Sequence, residues 1–132
     1  MNLLLDTQVF LWLDSDQARL SSSANSACAD TGNTLWLSAA SAWEMQIKIG
    51  LGKLRLRRSL AETIASHQTT NGLQILPIQL AHTLALENLP PHHKDPFDRL
   101  LIAQASYEDW EIVTADRQFK AYPVRVIWGT EL

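Results

Sequence analysis

The chain has 132 residues, 46% of them hydrophobic and 19% charged, the proportions of one soluble globular domain and not of a disordered or fibrous chain. Eleven Lys and Arg against 14 Asp and Glu leave a net charge of -3, so no global positive field draws in nucleic acid and any polyanion must be gripped locally. A single cysteine, Cys28, excludes an internal disulfide framework and a thiolate zinc site, and reads as a small buried apolar residue in a reducing setting. No apolar run approaches the roughly 20 residues of a membrane span, and Met1-Asn2-Leu3-Leu4-Leu5-Asp6 lacks the basic and apolar regions of a signal peptide. The expectation is one cytoplasmic domain over residues 1–132.

No repeat, low-complexity tract or linker divides the sequence. Leu3 to Leu5 reads as a short buried strand, followed by a helix over Gln8 to Leu13. A second helix fits Ser22 to Asp30, with Ser21 or Ser22 as its N-cap and Gly32 after its end. Thr34 to Ser38 is a strand, and a helix from about Ala40 to Ile49 stops at Gly50 and Gly52. Ser59 caps a helix over Leu60 to Thr70 that Asn71-Gly72 ends, and Gln74 to Leu76 is a strand before Pro77. Leu80 to Glu87 forms a helix closed by Pro90-Pro91, and Pro96 to Tyr107 a helix apolar on more than one side. Glu111 to Thr114 and Val124 to Ile127 are the last strands. Short apolar strands alternating with helices point to an α/β fold with a parallel sheet covered on both faces.

In such sheets ligands bind outside the carboxyl ends of the strands. Asp6 follows the first strand directly, Asp116 lies two residues beyond Thr114, Glu44 sits in the first turns of the helix after Ser38, and Asp98 opens the helix led by Pro96. Two carboxylates about 4 Å apart repel by roughly 4 kcal/mol at an effective dielectric near 20. If these four meet, they need either protons or a cation. An all-oxygen set favours Mg²⁺ or Mn²⁺ over zinc, and hard cations held by Asp and Glu serve phosphodiester hydrolysis.

Each acid also has an ordinary role. Asp95 with Pro96 makes a good helix start with Asp98 in its first turn, Glu44 and Lys48 are spaced for a surface ion pair, Asp116 can cap a short helix over Arg117 to Lys120, and Asp6 suits a turn. Residue by residue the plainer role is the stronger; the coincidence at one sheet edge is what favours the cluster.

Longer motifs add to this. Leu5-Asp6-Thr7, the block Ser38-Ala39-Ala40-Ser41-Ala42-Trp43-Glu44-Met45-Gln46-Ile47-Lys48, Leu51-Gly52-Lys53-Leu54, the block His93-Lys94-Asp95-Pro96-Phe97-Asp98-Arg99-Leu100-Leu101-Ile102-Ala103-Gln104-Ala105 and Thr114-Ala115-Asp116 resemble, in that order, the PIN-domain family. They look most like the VapC-type ribonuclease toxins of bacterial toxin-antitoxin (VapBC) pairs. The resemblance runs from Asp6 to about Tyr122. It implies a three-layer α/β/α fold around a parallel sheet of about five strands, and Mg²⁺- or Mn²⁺-dependent endoribonuclease action with one or two ions, leaving a 3′-hydroxyl and a 5′-phosphate. By the same resemblance Asp6 and Asp98 are the main metal ligands, with Glu44 and Asp116 binding directly or through water. Thr7 and Thr114 match polar positions that orient waters or carboxylates, and Asp95 takes a capping or supporting role. The partners it implies are an RNA substrate, a second copy in a homodimer and a small VapB-type antitoxin that blocks the acidic site.

Lys53-Leu54-Arg55-Leu56-Arg57-Arg58 is the one concentrated basic stretch. Its alternation places Leu54 and Leu56 on one side and Arg55 and Arg57 on the other, where they are candidate RNA phosphate contacts or a solvated edge. His93 and Lys94 are further candidates for RNA contact, although a solvated loop is the plainer reading of His92-His93-Lys94. Trp12 and Leu13 are candidates for an exposed apolar patch. Two other functions stay open: a PIN-like scaffold that holds a partner through its acidic pocket and cuts nothing, and a single-stranded DNA or flap nuclease with the same chemistry.

Overall fold

Leu3, Leu4 and Leu5 are wholly withdrawn from solvent, which places the first strand, β1 (Asn2–Leu5), at the centre of the molecule. In the computed structural model, which describes residues 1–131, β1 is flanked by β2 (Thr34–Ser38) and β4 (Glu111–Thr114), with β3 (Gln74–Leu76) and β5 (Arg125–Trp128) at the edges. The order is β3-β2-β1-β4-β5 and every neighbouring pair is parallel. Period-two alternation splits the core. Leu3 and Leu5 pack with Val9, Phe10, Leu37 and Met45 on one face, and Leu4 packs with Leu101, Ile102, Ile112 and Phe119 on the other.

Helices cover both faces, the three-layer α/β/α arrangement expected from the sequence. Helices α1 (Thr7–Ser15), α2 (Ser22–Ala29), α3 (Ala39–Gly50) and α4 (Leu60–Asn71) contribute to the first layer, and α6 (Pro96–Glu108), joined by α5 (Leu80–Ala85), to the second. The side chains of Ser21, Ser59 and Asp95 accept a backbone N–H of the turn they open, as the sequence predicts, and Ser38, read only as a strand end, caps α3 in the same way. Gly72 ends α4 at φ 64°, a left-handed position that glycine takes without a Cβ penalty.

Most elements differ from the sequence reading by a residue or two at one end or the other, and three of the differences have a plain physical cause. The first helix runs two residues longer at its C-terminal end and starts at Thr7, because Asp6 is the extended N-cap residue. The helix expected over Leu80–Glu87 leaves α geometry after Ala85 and tightens into a 3-10 turn, Leu86–Asn88, ahead of the two prolines. The last strand is shifted one residue because Val124 N–H is taken by Tyr122 O, while Trp128 pairs with Thr114 and lies under the Arg117 guanidinium at 4.3 Å. Leu13, expected in a surface patch, is core at 7% exposure, since it falls on the inward face of α1 with Val9 and Phe10.

Register positions the functional edge. Leu5 pairs with both Leu37 and Val113, so the chain leaves β1, β2 and β4 at the same level. Asp6 N–H continues the ladder by donating to Val113 O at 2.9 Å. The carboxyl ends of the three central strands thus open together.

Candidate active site

At that edge a cavity of about 250 Å³ is lined by Asp6, Thr7, Gln8, Leu11, Glu44, Lys48, Asp95, Asp98, Ala115 and Asp116. Five carboxylates therefore face one ammonium. The four acids singled out from sequence come together here from four elements: the β1–α1 junction, α3, the first turn of α6 and the turn after β4.

Each carboxylate is held by its own partners. Thr114, fully buried, donates its hydroxyl to Asp6 Oδ2 at 2.6 Å and accepts Asp116 N–H at 3.0 Å. Thr7 donates to Glu44 Oε1 at 2.8 Å and shares a 2.9 Å contact with Ser41 Oγ. Glu44 Oε2 pairs with Lys48 Nζ at 2.9 Å. The Glu44–Lys48 pair anticipated for a helix surface exists, yet Glu44 is only 7% exposed and belongs to the cavity. Asp95 caps α6 by accepting Phe97 N–H and Asp98 N–H at Oδ1, and Asp116 caps the 3-10 turn Arg117–Ala121 by accepting Gln118 N–H. Capping and clustering are compatible, because the caps fix the loops whose acids enter the cavity.

Burial and crowding show in the acidities. Burial pushes the Asp98 carboxyl up to about 7, with repulsion from Asp6, Asp95 and Glu44 adding to it and His93 opposing it. Burial likewise raises Asp6, against the lowering effect of the Thr114 hydrogen bond. Lys48 is raised chiefly by its hydrogen bond to Glu44. A cluster that would rather keep protons than stand ionised side by side is short of positive charge, and its all-oxygen donors suit a hard divalent cation. Asp6 Oδ1 and Asp98 Oδ1 accept no side-chain hydrogen bond among the described residues, whereas both oxygens of Glu44 and of Asp116 are engaged. The residues present fit such an ion, with Asp6 and Asp98 offering the open positions.

His93 departs from the solvated-loop reading. Its neighbours His92 and Lys94 are exposed, but His93 is 8% exposed and its Nε2 lies 2.8 Å from Asp116 Oδ2 and 3.0 Å from Asp98 Oδ2. Its backbone N–H donates to Tyr122 Oη at 2.7 Å, which draws the ring inward. Nε2 and one oxygen from each of the two acids lie within 4.8 Å of one another.

The basic stretch folds as an extended loop between α3 and α4. Leu54 and Leu56 are half-buried against the first core layer while Arg55 and Arg57 are exposed, the alternation read from sequence. With Gln46, Ile49 and Ser59, Arg55 lines a separate open cavity of about 780 Å³. Neither arginine lines the acidic cavity. Cys28 is half-buried in α2, and burial pushes its thiol up to about 11, which removes it as a nucleophile near neutral pH.

A model of the PIN domain matches residues 3–124 of the sequence. The chain belongs to the PIN-domain family. Among PIN-domain relatives, Ribonuclease VapC22 of Mycobacterium tuberculosis is 31% identical over 122 residues, spanning 90% of each chain. The fold is also that of VapBC2 from Rickettsia felis, solved bound to a fragment of its promoter DNA, at a TM-score of 0.75 and 18% identity over 98% of this chain and 99% of that one. DNA-bound VapBC from Salmonella typhimurium aligns at a TM-score of 0.69 and 14% identity, covering 97% and 98% of the two chains.

Sequence reasoning missed Ser41 and Tyr122 as supports of this PIN-domain site and placed His93 in solvent. Ser41, Glu44 and Lys48 share one face of α3 at helical spacing, a signal that could have linked them. Tyr122 could not have been found, because its hydroxyl meets the loop across 29 positions of sequence.

Proposed function

We propose that this PIN-domain chain is a Mg²⁺- or Mn²⁺-dependent endoribonuclease, the toxin member of a toxin-antitoxin pair, with Asp6, Glu44, Asp98 and Asp116 holding one or two ions. The observation that carries the reading is the cavity itself, in which five carboxylates face one ammonium and two of the acids, Asp6 and Asp98, have pKa values raised by burial and crowding. The RNA substrate is supported by the VapC22 relative, whose name is that of a ribonuclease. A small antitoxin partner is supported by the VapBC complexes among the structural neighbours and by a toxin-antitoxin complex from Klebsiella pneumoniae that aligns at a TM-score of 0.62. A homodimer is part of the same proposal. No helix of the described residues is long and apolar enough to cross a membrane.

A bound ion supplies charge neutralisation at the scissile phosphate and a lowered pKa for water. The remaining work falls to side chains. Asp6 and Asp98 present open oxygens, Thr114 and Thr7 fix the rotamers of Asp6 and Glu44, and Lys48 pairs with Glu44 Oε2. Lys94, Arg55 and Arg57 would serve as phosphate contacts, a reading supported by their charge and exposure. The double replacement Arg55→Ala with Arg57→Ala is expected to weaken RNA binding and to reduce the slope of log affinity against log salt by about one to two phosphate contacts. An unchanged slope removes this loop from the substrate path.

The test of the function is cleavage of a mixed single-stranded RNA by the purified protein in Mg²⁺ or Mn²⁺, beside the same reaction in EDTA. Metal-dependent cleavage is the expected result, with competition by single-stranded and flap DNA deciding the preferred nucleic acid. Absence of cleavage in either metal, with retained binding of a basic partner segment, overturns it in favour of a scaffold.

A further inference from the structure

His93 is the one side chain among the described residues that touches both Asp98 and Asp116, acids brought in by two different elements. We infer that His93 is a positioning residue that clamps these two carboxylates through its Nε2–H and is not itself a ligand; the inference rests on the proposed cation site. The hydrogen bonds decide its tautomer. Asp95 N–H donates to His93 Nδ1 at 3.1 Å, so that nitrogen is a bare acceptor and the ring proton sits on Nε2, aimed at the two acids. To ligate a cation through Nε2 the ring would have to move its proton to Nδ1, where it would meet the Asp95 N–H head on.

Asp95 cannot turn that N–H away, because its side chain caps α6 and the following Pro96 fixes the start of that helix. The ring is held on its other sides as well. His93 N–H donates to Tyr122 Oη, the Phe119 ring meets the imidazole edge-on at 5.9 Å, and Arg99 Nη1 reaches Tyr122 Oη at 3.3 Å while donating to Pro90 O at 2.9 Å. Arg99 directly follows Asp98, so one braced loop ties the ring to the helix that carries the acid it holds. With Nε2–H occupying Oδ2 of each acid, the Oδ1 atom of Asp98, a residue that lines the cavity, is left without a side-chain donor among the described residues, and a donor of this kind orients a carboxylate before an ion arrives.

The experiment measures Mn²⁺ binding to the full-length protein by calorimetry for the wild type, His93→Ala, His93→Gln and Asp98→Asn, with electron spin-echo envelope modulation on the Mn²⁺-loaded wild type. His93→Ala is expected to weaken Mn²⁺ about 10- to 100-fold. His93→Gln, whose Nε2–H falls where the imidazole proton does, is expected to recover most of that loss, and the echo is expected to show no directly bound ¹⁴N. A bound ¹⁴N makes His93 a ligand and overturns the inference, as does an unchanged affinity in folded His93→Ala or a glutamine variant as weak as alanine. Wild-type protein that binds no Mn²⁺, or Asp98→Asn that binds it equally well, overturns the cation site and the inference with it. Thermal melting of each variant separates loss of the clamp from loss of the fold.

Discussion

Asp98→Asn is expected to lower metal-dependent RNA cleavage by at least about 10²- to 10³-fold while leaving the fold intact. Asn is close in size to Asp and retains an oxygen, but it brings no negative charge to a cavity whose affinity for a cation rests on charge. The same substitution is expected to raise the stability of the metal-free protein above neutral pH. Burial pushes the Asp98 carboxyl up to about 7 in the folded chain against an ordinary value of 3.8, so ionising it inside the cavity works against folding. After discounting for solvent screening, relief of that burial cost and of the repulsion added to it amounts to about 1–2 kcal/mol, a shift of a few degrees in melting temperature at this chain length. Cleavage assays and thermal melts near pH 8 in EDTA check both halves. A variant that loses activity and also melts lower has been damaged structurally, whereas one that melts higher and cuts nothing has lost a charged functional group.

That opposition between stability and activity in one residue is the mark of a site where local energetics are spent on function. It is visible across the cavity. Thr114 is buried to hold Asp6, and Thr7 is buried to hold Glu44. Both threonines occupy positions where an apolar residue would pack as well, and each supplies a hydroxyl that keeps a crowded carboxylate in one rotamer. His67 and His82 show the same device away from the cavity, each accepting at Nδ1 and aiming Nε2 at a carboxylate, Asp14 and Glu108 respectively.

The central strands and helix caps were legible because their signals are local. Three consecutive leucines followed by Asp6, Ser38 before an apolar helix and Asp95-Pro96 each state an element and its end within a few residues. Convergence of the four acids was legible only through the rule that parallel strands open at one edge, and it needed the strand order to become geometry. His93 was misplaced for a physical reason. Two histidines and a lysine in a row read as solvent-facing, and what turns the middle one inward is the Tyr122 hydroxyl, brought near by the chain's return after β4. The basic loop was the reverse case: its alternating exposure was plain from spacing, yet spacing could not say that it lies outside the acidic cavity.

The acidity of Asp98 also sets how cation binding responds to pH. Below about 7 the metal-free protein keeps a proton on this carboxyl, and a divalent ion must displace it. Apparent Mn²⁺ affinity is therefore expected to rise about tenfold per pH unit between about pH 5 and 7 and to level off above, each unit being worth about 1.4 kcal/mol. Folding stability of the metal-free chain runs in the opposite direction. The folded state retains a proton that the unfolded chain has released above the ordinary aspartate value of 3.8, so this group's contribution falls as pH rises through that window and its loss is complete above about 7. The two slopes together make the gap in melting temperature between Mn²⁺-loaded and metal-free protein widen from acid to neutral pH. Calorimetric titrations near pH 5.5, 6.5 and 7.5 in buffers of different ionisation enthalpy count the protons released. Release approaching one proton per ion at acid pH, vanishing near pH 8 and absent in Asp98→Asn, assigns the linkage to this carboxyl; affinity that does not change across the range refutes it.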